Sequence, residues 1–313
     1  LRIGIIGCGQ MGEWHWDAYR KNEHTSCVAF SDTDRSKAER FIQKTPGQIY
    51  SDYREMIKKE KLDGVSICTL PSTHHPIVMD LLDAGIHVLC EKPLAMTLKE
   101  AQAMTQKAQD KKLRLFTAFK FRFFDEVQEA RKILQSGSLG KVLNFRVMVG
   151  AQADMSNTWF VKKELSGGGV VIDNGPHAFD LIRCLLGEFD KVSTQVGHYQ
   201  NLPVEDTAQI VCRLKNGAAG TINISWQLPT PSKTYCEIYA EEGTLLLDFS
   251  GLTYKFKTWD DWKTIPNAAS SKEAFNRQID HFANAILGNP ILVTNNEDGL
   301  KAQELIDQAY QSI

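Results

Sequence analysis

The chain opens with a short β-branched run, Leu1-Arg2-Ile3-Gly4-Ile5-Ile6, that passes directly into Gly7-Cys8-Gly9-Gln10-Met11-Gly12 and then into a helix-like stretch ending near Arg20. A glycine triplet at this spacing is a weak signal alone, but its context narrows what it can be. A strand precedes it and a helix follows. Asp32 stands at the end of the next apolar run, residues 27–31, twenty positions beyond Gly12. Each part has a mechanical job in a corner that cradles a dinucleotide pyrophosphate. Gly7 permits the tight turn, Gly9 lets the backbone approach the phosphates, and Gly12 lets helix and strand pack closely. The helix start at Gln10 and Met11 offers N–H groups and the positive end of the dipole. The rival reading is a plain strand–turn–helix corner that binds nothing. A carboxylate at Asp32 suits the adenosine ribose hydroxyls and repels a 2′-phosphate, which favours NAD. Arg35, three residues on, keeps NADP as the alternative unless it is simply a solvated residue in the first turn of the next helix.

Further apolar runs at residues 64–69, 86–90 and 113–119 alternate with helix-like stretches such as 34–43, the pattern of parallel βαβ units in a doubly wound sheet. After about residue 120 the rhythm changes. An amphipathic helix is expected over 124–134, where Phe124, Val127, Ala130 and Leu134 share a face. Strand-like segments follow at 142–149, 208–214, 220–226, 234–239 and 244–248, several separated by turn signals such as Lys215-Asn216-Gly217 and Glu242-Gly243. Hairpin-like spacing implies a mostly antiparallel sheet, and two helices, 272–287 and 297–312, close the chain. The expected fold class is therefore α/β: an N-terminal Rossmann doubly wound parallel sheet over residues 1–120, then a C-terminal α+β domain on a mostly antiparallel open sheet over 121–313. A length of 313 residues suits two domains.

Composition excludes some classes of partner. The net charge of -2, with basic residues scattered, gives no footprint for nucleic acid. No run approaches the roughly 18 apolar residues that a membrane helix needs. Seven cysteines sit mostly inside apolar runs, odd in number and without a CxxC, which reads as reduced buried thiols rather than a disulfide framework or a metal site. No basic leader with an apolar segment is read before the first strand, and the chain starts at Leu1 rather than Met, which leaves trimming of earlier residues as an expectation. The expectation is a cytoplasmic protein.

Two later segments carry chemistry. Cys90-Glu91-Lys92-Pro93 ends a parallel strand, where open α/β sheets bind their ligands. Lys92 there can stabilise a developing alkoxide or join a proton transfer, or it can be an exposed turn lysine. The second segment is Gly167-Gly168-Gly169-Val170-Val171-Ile172-Asp173-Asn174-Gly175-Pro176-His177-Ala178-Phe179-Asp180. If it is helical, Asp173, His177 and Asp180 lie near one face, with Pro176 as a kink or a helix start. An imidazole ordinarily titrates near neutrality, so the residue type at His177 suits a base that takes a hydroxyl proton as hydride leaves the same carbon. The bland alternative is a capping aspartate and a satisfied, half-buried histidine.

Together these segments resemble the Gfo/Idh/MocA oxidoreductase family, named for glucose–fructose oxidoreductase and inositol dehydrogenase, over essentially the whole chain. Thr69-Leu70-Pro71-Ser72-Thr73-His74-His75 looks like the family's T-P-N-x-x-H loop, with departures at Leu70 and Ser72. Glu91-Lys92-Pro93-Leu94-Ala95 is similar to its EKPxA, and residues 167–180 are similar to its GGGxxxDxGxHxxD segment. The resemblance implies that Lys92, Asp173 and His177 are the catalytic group, with His177 the base and Lys92 close to the reacting carbon. It implies that Glu91 lies by the nicotinamide ribose and that Thr69, Pro71 and His75 line the cofactor cleft. The implied activity is oxidation of a sugar, cyclitol or related polyol hydroxyl, or reduction of the matching ketone. The implied assembly is a homo-dimer or homo-tetramer through the open face of the C-terminal sheet. The apolar alternation at Ile222, Ile224 and Trp226 fits such burial, and a helix on the same face explains it equally. By position, Arg122, Trp159 and Asn174 are candidates for the substrate pocket; Trp159 can instead be core, and Arg122 a surface residue at a helix start. Two rival functions keep the fold: a redox-neutral, NAD-assisted glycosidase or epimerase, and a non-enzymatic NAD-binding regulator. The presence of all of Lys92, Asp173 and His177 weighs against the regulator.

Overall fold

A β-branched strand in the middle of a sheet must pair along both edges. In the computed structural model, which describes residues 1–268, 271–290 and 293–313, the first strand does so. β1 (Arg2–Ile6) runs parallel to β2 (Ser26–Ser31) on one side and to β4 (Gly64–Ile67) on the other. With β3 (Gln48–Tyr50), β5 (His87–Cys90) and β6 (Leu115–Thr117) they form a six-stranded parallel sheet ordered β3-β2-β1-β4-β5-β6. The crossovers carry α1 (Gln10–Tyr19), α2 (Arg35–Ile42), α3 (Tyr53–Lys59), α4 (Pro71–Asp83) and α5 (Leu98–Asp110). Strand order reverses between β1 and β4, so their carboxyl ends flank the switch point at which such sheets bind ligands.

Successive residues of β5 enter opposite cores. Val88 and Cys90 join the cluster around Val78, Leu81 and Met104, while Leu89 joins the one around Ile5, Tyr19 and Phe30. Both faces therefore need cover, and part of it comes from far along the chain. α9 (Ser271–Ile286) adds Phe275, Ile279 and Phe282 to the second cluster, each such side chain contributing about 1.5–3 kcal/mol by leaving water. The early part of α10 (Asp298–Gln311) adds Leu300 to the first. The chain accordingly divides into residues 1–120 with 272–303, and residues 121–271 with 304–313. This corrects the expected division at 120, which left 272–303 in the second domain. Amphipathic spacing says that a helix buries one face but not against which sheet.

The second unit is built on eight strands: β7 (Val142–Gly150), β8 (Phe189–Gly197), β9 (Thr207–Leu214), β10 (Ala219–Ser225), β11 (Thr234–Ala240), β12 (Gly243–Asp248), β13 (Gly251–Phe256) and β14 (Lys263–Pro266). Their order is β14-β13-β12-β11-β7-β10-β9-β8, antiparallel throughout except for the parallel pair β10 and β7. β8, β13 and β14 lie outside the strands expected from sequence. The helices of the unit are α6 (Asp125–Gln135), the single turn α7 (Lys163–Ser166) and α8 (Val170–Leu186). α6 packs on β12 and β13, and α8 packs on β7, β9 and β10. Ile222 and Ile224, fully buried, and the nearly buried Trp226 lie on the face that α8 covers. The apolar alternation at these positions is thus satisfied within the chain, so it is not evidence for a partner.

Two buried polar contacts fix the local geometry. Arg122, in a short 3-10 turn, forks onto Asp180 of α8 with Nε–Oδ2 2.8 Å and Nη2–Oδ1 2.7 Å. His74 of α4 meets the Pro93 carbonyl at 2.8 Å and the Thr69 carbonyl at 3.2 Å. Arg122→Met alone or Asp180→Leu alone should lower stability by about 3–5 kcal/mol in urea unfolding, because each leaves a buried charge behind. A loss no larger than that of a surface ion pair would refute the buried-pair assignment. Burial holds His74 below the ordinary imidazole range, even though both carbonyls favour its charged form. The unfolded chain therefore binds a proton that the folded chain excludes. The His74 contribution is complete above about pH 6.5 and is lost as pH falls below it. The urea midpoint should drop between pH 7 and 5.5, and His74→Gln should flatten that slope; an unchanged slope would exclude His74 as its source.

Candidate functional site

The glycine corner divides its labour as the spacing suggests. Gly7 adopts φ +93°, and a Cβ there would lie 2.5 Å from the Cys68 carbonyl oxygen. A Cβ on Gly12 would lie 2.1 Å from the Gly7 carbonyl oxygen, so α1 could not start so close to β1 with any larger residue. Gly9 differs, since a Cβ there would meet nothing within 4 Å. The space in front of it is open, which fits a corner shaped for an approaching pyrophosphate. Gly9 also caps α1 without a side-chain hydrogen bond, so the first-turn N–H groups, including those of Gln10 and Met11, are presented to an anion. Asp32 Oδ2 accepts the Cys8 N–H at 2.8 Å and Oδ1 accepts the Asp34 N–H at 2.9 Å, which ties the carboxylate to the corner. Arg35 is exposed on α2 and pairs with Glu39 at 3.3 Å, the solvated arrangement.

β5 delivers Glu91 and Lys92 beside the end of β4, where the Glu91 N–H donates to the Ile67 carbonyl at 2.9 Å. Lys92 is half-buried and joined to Pro93 by a cis peptide bond. Glu91 is 7% exposed; its Oε1 lies 3.0 Å from His15 Nε2 and its Oε2 accepts the Lys92 N–H at 3.2 Å. Burial alone would raise the Glu91 carboxyl, but the His15 hydrogen bond and the nearby Lys92 and Lys120 charges outweigh it and hold the group below its ordinary range. His15 is fully buried, with Nδ1 3.0 Å from Ser66 Oγ, which lies 2.8 Å from the Tyr19 hydroxyl. Ser66, His15 and Glu91 have the order of a hydrolytic triad, yet Ser66 is fully buried and no substrate reaches it. The sequence reading missed His15. Its signal was a histidine on the inward face of α1, shared with Gly12, Trp16 and Tyr19. The expected loop at residues 69–75 is shorter than foreseen, because α4 begins at Pro71. Thr69 Oγ1 accepts from the Thr73 hydroxyl at 2.7 Å, while Pro71 is buried and His75 half-buried.

In the second unit the triple glycine seats a helix. Gly167 adopts φ +88°, a Cβ on Gly168 would lie 2.0 Å from the Tyr310 hydroxyl, and one on Gly169 would lie 2.0 Å from the Glu205 carbonyl oxygen. Glu205 Oε1 accepts the Gly169 and Val171 N–H groups at 3.0 and 3.1 Å and the Tyr310 hydroxyl at 2.7 Å. A buried carboxylate thus caps the positive end of α8. Asp173, Asn174 and His177 all lie on this helix, which runs through Pro176 without a break in its assignment. The Trp226 indole donates to Asp173 Oδ2 at 3.1 Å. His177, 8% exposed, stacks on Phe121 at 4.9 Å and 9°, and Phe121 leans on Phe124 and Tyr235. Trp159 stacks on Phe160 at 3.9 Å, and Phe160 meets Trp226 edge-on. Trp159 is half-buried rather than core, and Asn174 is half-buried too. Arg122, 5% exposed, is not the surface residue offered as its structural alternative; its guanidinium is engaged by Asp180 and helps to seat α8. The structure therefore gathers Gly7, Gly9, Gly12, Asp32, Thr69, Glu91 and Lys92 at strand ends of the first unit, and Arg122, Asp173, Asn174 and His177 around α8 in the second. Glu205 was not foreseen, and Trp226 was expected only as an apolar sheet position, since each acts over tens of residues in sequence.

Comparison with known proteins shows the family and the fold. A family model described as "Oxidoreductase family, NAD-binding Rossmann fold" matches residues 1–119, and the GFO/IDH/MocA C-terminal domain matches residues 127–246. The chain is 26% identical over 334 aligned residues to D-glucoside 3-dehydrogenase of Escherichia coli (strain K12), covering 100% of this chain and 95% of that protein. It is 26% identical over 258 residues to myo-inositol 2-dehydrogenase of Thermotoga maritima, covering 79% and 75%. Its fold matches the crystal structure of an NAD binding oxidoreductase from Klebsiella pneumoniae with a TM-score of 0.92 at 25% identity, covering 100% of this chain and 96% of that one. The chain belongs to the Gfo/Idh/MocA family of NAD-binding oxidoreductases.

Proposed function

We propose that the protein is a dehydrogenase or reductase that moves hydride between NAD and a CH–OH carbon of a ring polyol, a sugar or a cyclitol. The observation that carries this reading is the pair Asp173 and His177, one turn apart on α8, each held by its own aromatic partner, Trp226 and Phe121. Two relatives named for a glucoside and an inositol support a ring hydroxyl as the substrate group. NAD, when bound, supplies the hydride acceptor or donor, and the chain supplies placement and proton management. In this reading His177 takes the hydroxyl proton, Asp173 orients substrate and base, and Lys92 offsets charge on the oxygen as the proton leaves. Gly7, Gly9, Gln10, Met11 and Gly12 hold the pyrophosphate, Glu91 lies by the nicotinamide ribose, and Thr69, Pro71 and His75 line the cofactor cleft. Trp159 and Asn174 contact the substrate. The Asp32 carboxylate, with Arg35 turned to Glu39, favours NAD over NADP.

Among the described residues no helix is long and apolar enough to cross a membrane, and no disulfide joins the seven cysteines. Those thiols support a place in the reducing cytoplasm; a disulfide found in the native protein would argue against it. The sheet face turned away from α8 carries exposed Val211 and half-buried Met148 and Leu246, which supports a homo-dimer or homo-tetramer through that face. A monomeric mass by light scattering would remove that assembly.

Lys92→Met and His177→Gln should each lower kcat by about a hundredfold to ten-thousandfold with NADH affinity nearly unchanged, read by steady-state kinetics and NADH fluorescence titration. Near-normal turnover in both would sink the catalytic assignment. Asp32→Asn should shift the ratio of NADH to NADPH dissociation constants towards NADPH; an equal change for both cofactors would remove the selectivity role.

A further inference from the structure

His15 belongs to α1, the helix whose first turn faces the dinucleotide, yet its side chain reaches the turn that carries Lys92. Glu91 Oε1 can only accept when ionised, so the hydrogen on this contact sits on His15 Nε2, 3.0 Å away, whether or not Nδ1 also carries one. Nδ1 is occupied by Ser66 Oγ at 3.0 Å, and Ser66 by the Tyr19 hydroxyl at 2.8 Å. The ring therefore has no rotational freedom and no access to solvent, being fully buried. At the far end, Glu91 Oε2 accepts the Lys92 backbone N–H at 3.2 Å. A carboxylate this enclosed needs a donor in place; without one it is an unsatisfied buried acceptor that will move the backbone around it or draw in water.

We propose that His15 is a positioning residue for the Lys92 turn: its Nε2–H fixes the Glu91 carboxylate, Glu91 fixes the Lys92 backbone, and the helix that receives the dinucleotide thereby also sets the lysine. The proposal rests on the reading of Lys92 as a group that acts on the substrate oxygen. It assigns His15 no contact with substrate and no share in proton transfer. It also accounts for a histidine where an apolar residue would fill the same interior space.

The test uses three substitutions that separate the two ring nitrogens. His15→Gln places an amide N–H where Nε2 was, His15→Asn places one nearer Nδ1, and His15→Phe removes both while keeping bulk. Hydrogen exchange by mass spectrometry over residues 88–96 is measured with and without NADH. Kinetics are measured with whichever of the methyl glucosides or inositols gives turnover. Expected are near-wild-type exchange and kcat for His15→Gln. Expected for His15→Asn and His15→Phe are faster exchange over 88–96 and a kcat lower by about a hundredfold, with substrate KM and NADH affinity little changed. If His15→Phe does not fold, the Gln and Asn pair decides. Wild-type exchange over 88–96 in His15→Asn overturns the proposal, as do losses in all three variants that merely follow melting temperature. If Lys92→Met keeps its kcat, the catalytic reading of Lys92 fails by itself. The exchange measurement then decides alone: faster exchange in Asn with rescue by Gln upholds His15 as the support of the turn, and no difference overturns it.

Discussion

A parallel sheet buried on both faces cannot be finished by its own crossovers unless each face receives a full layer. In the first unit this constraint explains the most about the chain's layout. Strand β4 is buried on both sides and β5 nearly so, and Val88 and Leu89 belong to different cores although they are neighbours. One of those cores is completed by Phe275, Ile279 and Phe282, more than 150 residues beyond the last strand of the sheet. The layer thus returns to the N-terminal unit after the whole antiparallel sheet has been laid down. Once both faces are sealed, the carboxyl edge is where the polar groups of the unit collect, and Gly9, Asp32, Glu91 and Lys92 all stand there.

The second unit answers a different constraint. α8 carries Asp173, Asn174 and His177 on a helix that contains a proline and starts in three glycines, a poor intrinsic helix. It is held from outside instead. Glu205 and Tyr310 satisfy its first turn, Arg122 forks onto Asp180, and its apolar face lies on Ile222 and Ile224. The glycines are the counterpart of this external support, because any side chain at Gly168 or Gly169 would occupy the space of Tyr310 or Glu205. A buried carboxylate at the helix start and a buried ion pair at Asp180 thereby hold one helix at two places, which favours a single register over neighbouring ones.

What was legible in the sequence was local. The glycine corner and Asp32 could be read because twenty-odd consecutive residues hold the whole device, and the strand–helix alternation could be read because its period is short. The strands that escaped notice were short or mixed: Gln48–Tyr50 is three residues long, and Lys263–Pro266 is largely polar. Long-range partners left no trace. Trp226 grips Asp173 from 53 positions away and Glu205 grips Gly169 from 36, and neither separation marks a sequence in any periodic way. His15 was visible only as a polar residue on a buried helix face, which indicates that a partner exists without naming Glu91 as that partner. The helix at 272–287 was recognised as a helix and assigned to the wrong unit, because a hydrophobic stripe specifies burial and leaves the buried surface unnamed.

The three glycines of the nucleotide corner are unequal in a way that bears on how such a protein can change. Gly7 and Gly12 are wedged against backbone atoms, so the architecture of the strand–helix corner itself depends on them. Gly9 faces empty space, and the polypeptide has no internal need for it to lack a side chain. A lineage that ceased to use a dinucleotide would therefore be expected to drift at the middle glycine while keeping the outer two. Folding and ligand capture are inherited here through different atoms of one six-residue turn, and one can decay while the other persists.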